Sequence, residues 1–166
     1  AAAAKKIFKT YSFIDTNKVG IWGWSGGGQM TMNCLFRYPD VYTSGLAVAF
    51  VADQRLYDNI YQERYMGLLE ENEANYIAGS PITHAKNLKG DLMIMHGTGD
   101  DNVHYQSFEK MANELIKHNK MFDMMSYPNR DHGIRGGNTS YHLRQTMVKY
   151  WEKVFSKKND LVKVKQ

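Results

Sequence analysis

Residues Gly23-Trp24-Ser25-Gly26-Gly27 carry a G-x-S-x-G pattern, in which a serine hydroxyl is raised on a sharp turn between a strand and a helix. Glycines on either side let two backbone segments pass closely, so the hydroxyl projects above the sheet edge as a nucleophile. At average glycine and serine usage, chance yields one such match in roughly twenty chains of this length, so the pattern needs support from elsewhere. A serine attacks a carbonyl only with a base to take its proton, and the base needs a carboxylate to orient it. Two later segments offer them: His96-Gly97-Thr98-Gly99-Asp100-Asp101 and Asn129-Arg130-Asp131-His132-Gly133. The order serine, acid, histidine yields Ser25, then Asp100 or Asp101, then His132, a set suited to acyl transfer without a cofactor. Spacing leaves the two aspartates level. His96, His104, Asp100 and Asp101 could instead gather round a metal, but no H-E-x-x-H or comparable ligand spacing accompanies them, and no metal is expected.

These residues are useful only if secondary structure delivers them to one place. Val19–Trp24 is a short apolar run stopped by Ser25 and three glycines, and reads as a strand. Gly26–Tyr38 follows as a helix closed by Pro39, with Met30 and Cys34 on one side. Gly45–Val51 and Leu92–Met95 are continuous apolar runs, as strands covered on both faces should be. Tyr105–Asn119 places Phe108, Met111, Ala112, Leu115 and Ile116 on one helical stripe. Phe122–Tyr127 is a further strand, and Thr139–Phe155 a final amphipathic helix through Leu143, Met147, Tyr150, Trp151, Val154 and Phe155. Ala1–Tyr11 reads as the end of a helix. The alternation predicts a parallel sheet of about four strands flanked by helices, with the acid and histidine loops at strand carboxyl ends. Residues 53 to 90 form a polar, tyrosine-rich insertion. Within it Tyr57, Tyr61 and Tyr65 recur every four residues, either to pack the insertion onto the sheet or to wall the site.

Bulk properties narrow the class. With 166 residues, 43% apolar and 23% charged, the chain suits one soluble domain, yet is short for a complete α/β-hydrolase. Its longest apolar runs are too short to cross a bilayer, and Ala1–Ala4 followed by Lys5 and Lys6 lacks the order of a signal peptide. The net charge of +4 lies wholly in residues 149 to 166, where six lysines face Glu152 and Asp160. The body is balanced, so no nucleic-acid partner is expected. Cys34, the single cysteine, reads as a buried small hydrophobe. Asn138-Thr139-Ser140 fits a glycosylation acceptor, without other signs of secretion. Residues 1–156 are expected to form a partial hydrolase domain and 157–166 a basic tail.

Four blocks, Gly23-Trp24-Ser25, Tyr61-Gln62-Glu63-Arg64-Tyr65-Met66-Gly67, His96 through His104, and Asp131-His132-Gly133, resemble the dipeptidyl peptidase IV branch of the prolyl oligopeptidase family. The likeness runs over roughly residues 10 to 155 in matching order. It implies the C-terminal half of an α/β-hydrolase fold and a serine exopeptidase that cleaves after a penultimate proline or alanine. It implies Ser25 as nucleophile, Asp100 rather than Asp101 as acid, His132 as base, and the Gly26 backbone N–H as an oxyanion donor. Tyr57, Tyr61, Val51 and Val103 would line the pocket for that side chain, and Asn102 would hold a substrate carbonyl. A homodimeric full-length protein in a periplasmic or extracellular setting is also implied. Two positions depart from the family's pattern: Gly26 stands where tyrosine is usual, and Gln54 where tryptophan is common. The family's further sheet strands, its β-propeller, a second oxyanion donor and the glutamates for the substrate amine have no counterpart in this chain.

Two rival readings remain: another hydrolase, such as an esterase or broader aminopeptidase, and a truncated module that binds without catalysis. The expected strand Val19–Trp24 would be a bare edge prone to pairing. The isolated 166-residue chain is therefore expected to self-associate and to turn over a Gly-Pro chromogenic amide poorly. Size in solution and turnover of the purified chain check this. A monomer working at the rate of a complete enzyme would contradict it.

Overall fold

The structure is a computed structural model and describes residues 1–156; the expected basic tail, residues 157–166, lies outside the described residues. Four parallel strands, β1 (Gly20–Trp24), β2 (Ser44–Val48), β3 (Asp91–Gly97) and β4 (Asp123–Tyr127), form one sheet in the order β1-β2-β3-β4. Helix α1 (Ala2–Thr10) precedes the sheet, α2 (Gly26–Arg37) follows β1, α5 (Gln106–Lys117) follows β3, and α6 (Thr139–Ser156) follows β4. The insertion after β2 holds α3 (Asn59–Met66), α4 (Leu69–Gly79) and two 3-10 segments, Gln54–Leu56 and Pro81–Asn87.

Apolar runs in β2 and β3 serve both faces of the sheet because side chains alternate along a strand. Ala47, Leu92 and Ile94 meet Met32, Leu35 and Phe36 of α2 and Phe108, Met111 and Leu115 of α5. Leu46, Val48, Met93 and Met95 meet Leu143, Met147, Tyr150 and Val154 of α6 on the other face. The outer strands are less covered: Trp22 of β1 and Met124 of β4 are exposed. At the start of β1, a Cβ on Gly20 would strike Trp151 at 2.7 Å and Phe155 at 2.9 Å. Those two rings stack on each other and roof the strand where no side chain intervenes.

Several expectations are corrected. The strand expected to run to Val51 stops at Val48. Ala49 turns into the left-handed region at φ 46° and donates its N–H to Met95 O at 2.8 Å, which directs Phe50–Ala52 off the sheet yet still into the core. An apolar run marks burial, and here burial outlasts pairing. Met30 is exposed and Cys34 only half-buried, because α2 buries the stripe Gly28, Thr31, Met32, Leu35 and Phe36. Ile116, placed with the core stripe of α5, is exposed at its edge. Tyr57 lies in extended backbone ahead of α3, so it shares no helix with Tyr61 and Tyr65.

Helix α6 is tied to the sheet by a buried bond. Tyr150 Oη donates to Gly45 O in β2 at 2.9 Å, and burial pushes its phenol well above the ordinary range. Tyr150→Phe leaves that acceptor without its donor and is expected to cost about 1–3 kcal/mol. A lowered midpoint in chemical denaturation checks this, with exposed Tyr141→Phe expected to be neutral.

Candidate active site

Register brings the three segments to one edge. Trp24 pairs with Val48, Val48 with Met95 and Met95 with Met125, so the loops after β1, β3 and β4 all leave the sheet at its carboxyl end. Ser25 occupies the turn from β1 into α2 with φ 58° and ψ −124°, a conformation a non-glycine residue adopts only when its surroundings impose it. Its N–H donates to Val48 O at 2.8 Å and its carbonyl accepts from Gln29 N at 3.0 Å, joining elbow, neighbouring strand and helix. The tight contact belongs to Gly23, where a Cβ would lie 2.2 Å from Gly27 O, whereas one on Gly27 or Gly26 would meet nothing within 4 Å. Gly26 opens α2, so its N–H is among the first-turn donors that have no partner inside the helix.

The acid loop is built round Asp100, which is buried. Its Oδ1 accepts from the N–H groups of Asn102 at 3.0 Å and Val103 at 2.9 Å. Its Oδ2 faces His132 Nδ1 at 2.8 Å and His96 Nε2 at 3.1 Å. Burial alone would raise this carboxyl; the bonds from His132, His96 and Val103 outweigh it and hold the group well below the usual carboxylate range. With a lowered folded value, Asp100 stabilises the fold above about pH 4, and that contribution is lost as pH falls through the folded value. The neighbouring Asp101 is exposed. It is thus Asp100, and not Asp101, that bonds to His132.

The histidine loop is fastened on two sides. Thr98 N–H donates to Tyr127 O at 2.9 Å, Gly99 N–H to Arg130 O at 3.1 Å, and Asn129 N–H to Thr98 Oγ1 at 2.8 Å. The loops approach so closely that a Cβ on Gly97 would lie 2.2 Å from Arg130 O. On the elbow side, the Trp24 indole N–H donates to His132 O at 3.0 Å, and the Arg144 guanidinium sits 5.7 Å from the Trp24 ring centre. A cleft lined by Trp24, His132, Arg135 and Arg144 flanks the histidine. Among the described residues the Ser25 hydroxyl has no hydrogen bond, while its backbone N–H and carbonyl are both bonded.

The pocket residues implied by resemblance are distributed unevenly. Tyr57 Oη donates to Asn102 Oδ1 at 2.8 Å, so that bond uses the oxygen of the Asn102 amide and not its N–H₂. Burial, helped by the charges of Asp58, Tyr61 and Asp100, raises the Tyr57 phenol. Although Tyr57 is outside α3, its ring lies 5.4 Å from Tyr61, which lies 5.1 Å from Tyr65, so the three form one wall. Tyr61 is half exposed; Val51 and Val103 are only 3% and 2% exposed and offer little surface. Gln54 turns its amide toward Gly79, where a Cβ would meet Oε1 at 2.8 Å. No group of three His, Cys, Asp or Glu side chains is placed to hold a metal among the described residues. The supporting parts played by Trp24 and His96 carry no sequence signal beyond their proximity to the motifs.

The model of the prolyl oligopeptidase family matches residues 1–158. Dipeptidyl peptidase 4 of Trichophyton equinum is 42% identical over 149 residues, 86% of this chain and 19% of that protein. Dipeptidyl peptidase 4 of Bos taurus is 35% identical over 156 residues, 92% of this chain and 20% of that protein. In structure the chain is similar to Porphyromonas gingivalis dipeptidyl peptidase 4, with a TM-score of 0.89 and 40% identity over 92% of this chain and 22% of the other. The chain therefore spans about a fifth of the length of these relatives.

The bonding pattern separates the two aspartates experimentally. In the longest natural polypeptide that contains this chain, Asp100→Asn is expected to lower kcat by about 1,000- to 10,000-fold, by misorienting the histidine. Asp101→Asn should change it only a few-fold. Steady-state kinetics of the two variants decide the matter, and the reverse ranking would name the other acid.

Proposed function

The chain belongs to the prolyl oligopeptidase family, and from that premise we propose that the protein carrying it is a serine exopeptidase of the dipeptidyl peptidase type. Its substrate is a peptide with a penultimate proline or alanine, and its product an N-terminal dipeptide. The observation that carries this reading is the 2.8 Å bond between His132 Nδ1 and buried Asp100, on a loop tied through Trp24 to a strained elbow serine.

Asp100 holds the His132 ring with Nδ1 protonated, so that Nε2 is the free base. His132 Nε2 takes the Ser25 proton as Oγ attacks the carbonyl carbon, and the negative charge gathers on the carbonyl oxygen. The Gly26 N–H, at the start of α2, is assigned to stabilise that oxygen, with the helix dipole behind it. His132 then gives its proton to the leaving amine, the C–N bond breaks, and a dipeptidyl ester remains on Ser25. Water enters by the same route and releases the dipeptide. The second oxyanion donor and the groups that hold the substrate amine are assigned to parts of the protein outside this chain.

Selectivity for a small, kinked side chain is assigned to Tyr57 and Tyr61, backed by Val51 and Val103, with the Asn102 amide on the preceding carbonyl. The open space at Gly26 widens this pocket relative to a tyrosine there. The whole protein is proposed to act as a homodimer, and exposed Met121 and Met124 beside β4 provide apolar surface for such an association.

The test uses the longest natural polypeptide containing this chain. Ser25→Ala is expected to reduce hydrolysis of a Gly-Pro chromogenic amide by at least about 10,000-fold. Substrates should rank Xaa-Pro first, Xaa-Ala second and simple esters last in kcat/KM. Retained activity without the hydroxyl would remove Ser25 from the mechanism, and a preference for esters would point to another hydrolase chemistry.

A further inference from the structure

His96 is fully buried near the end of β3, boxed by Phe50, Tyr105 and Phe108 with ring centres 5.6, 5.9 and 6.1 Å away. A phenylalanine or leucine would suit such a box, whereas an imidazole there must justify the loss of its hydration. Its Nε2 lies 2.8 Å from Val103 O and 3.1 Å from Asp100 Oδ2. Both facing atoms are acceptors, so the proton sits on Nε2 and is shared between them. Nδ1 is buried without a partner, and a proton there would be a second buried donor with nothing to receive it.

Resting on the triad reading above, we infer that His96 is a positioning residue for Asp100, gripping the same carboxylate oxygen that orients His132. Four donors then meet the four acceptor sites of one carboxylate: two backbone N–H groups on Oδ1, two imidazoles on Oδ2. The grip does two things. It fixes the plane of the carboxylate, and hence the direction in which His132 is held. It also draws off part of the charge on Oδ2, so that the His132 imidazolium is not bound too tightly to release its proton. Without His96 that oxygen serves His132 alone, and the base becomes neutral at a higher pH. The acid limb of kcat/KM, which reports the neutral base, therefore moves upward.

Other ionisable groups provide a common background. Tyr105, whose hydroxyl is 2.6 Å from Ser126 Oγ, faces His96, and Tyr57 faces the Asp100 charge. Arg135 and Arg144 share the cleft beside His132, while Asp101, His104 and Asp131 are exposed. None of these groups is itself substituted in a His96 variant, and the glutamine variant, which restores a donor to Asp100, separates the lost donor from changes in packing around Tyr105.

The experiment uses the longest natural polypeptide containing this chain, with His96→Phe, which fills the box without a donor, and His96→Gln, whose amide N–H can replace Nε2. Two pH profiles are measured: hydrolysis of a Gly-Pro amide, and labelling of Ser25 by a fluorophosphonate, with Ser25→Ala as the blank. His96→Phe is expected to lower kcat by about 10- to 100-fold with little change in KM, and to shift the acid limb upward by roughly half a pH unit or more. His96→Gln should recover most of the rate and the original limb. Should His96→Phe fail to fold, His96→Leu supplies the donorless variant. An unmoved limb, or a glutamine variant no better than the apolar one, would reduce His96 to packing. Absence of labelling in the wild type would instead overturn the triad reading itself, and His96's role with it.

Discussion

A carboxylate sealed from water must find a donor for each of its lone pairs, and at Asp100 this requirement organises three segments of chain. The turn that follows it is bent so that Asn102 and Val103 point their N–H groups inward. That bend carries the Asn102 amide to the position where Tyr57 meets it. The loop after β4 must lie directly against the loop after β3 for His132 to reach Oδ2, and a side chain at Gly97 would hold them apart. Backbone bonds from Thr98, Gly99 and Asn129 then sew the two loops together. Satisfying one buried charge thereby shapes the His132 loop, the Asp100 turn and the Tyr57–Asn102 contact at once.

The elbow works against its own conformational preference. A serine at positive φ carries a cost of about 1–3 kcal/mol, which the surrounding structure has to offset. The bond to Val48, the onset of α2 and the bare backbone of Gly23 against Gly27 do so in concert. Behind them stand β2 and β3, buried on both faces between α2 and α5 on one side and α6 on the other. The most deeply buried part of the fold therefore lies directly under the loops that carry Ser25, Asp100 and His132, and the more exposed outer strands lie to either side.

Much of this was legible in the residues. Strands and helices on either side of Ser25, Asp100 and His132 follow from apolar periodicity, because burial on two faces leaves continuous runs and burial on one leaves stripes. The choice between Asp100 and Asp101 was not accessible to spacing, since adjacent residues point in opposite directions and only the turn decides which faces inward. Resemblance points to Asp100, and it is the Asp100 carboxylate that faces His132 in the structure. The end of β2 is not legible for a physical reason: Phe50 to Ala52 are buried by packing after the ladder has stopped at Val48, and composition does not distinguish the two. The bonds of Trp24 to the His132 carbonyl and of His96 to Asp100 and Val103 are not legible in the sequence, because a single side-chain hydrogen bond leaves no periodic pattern along the chain.

The indole of Trp24 sits in the elbow strand but is bonded to the backbone carbonyl of His132, a residue more than a hundred positions away in sequence. An indole so held has a different excited state from one released to water, so any swing of the histidine loop is also a change in light emission. With Trp22 and Trp151 replaced by phenylalanine, the remaining indole would watch the His132 loop from the position next to Ser25. The fold thus contains its own optical gauge of whether the elbow and the histidine loop are held together.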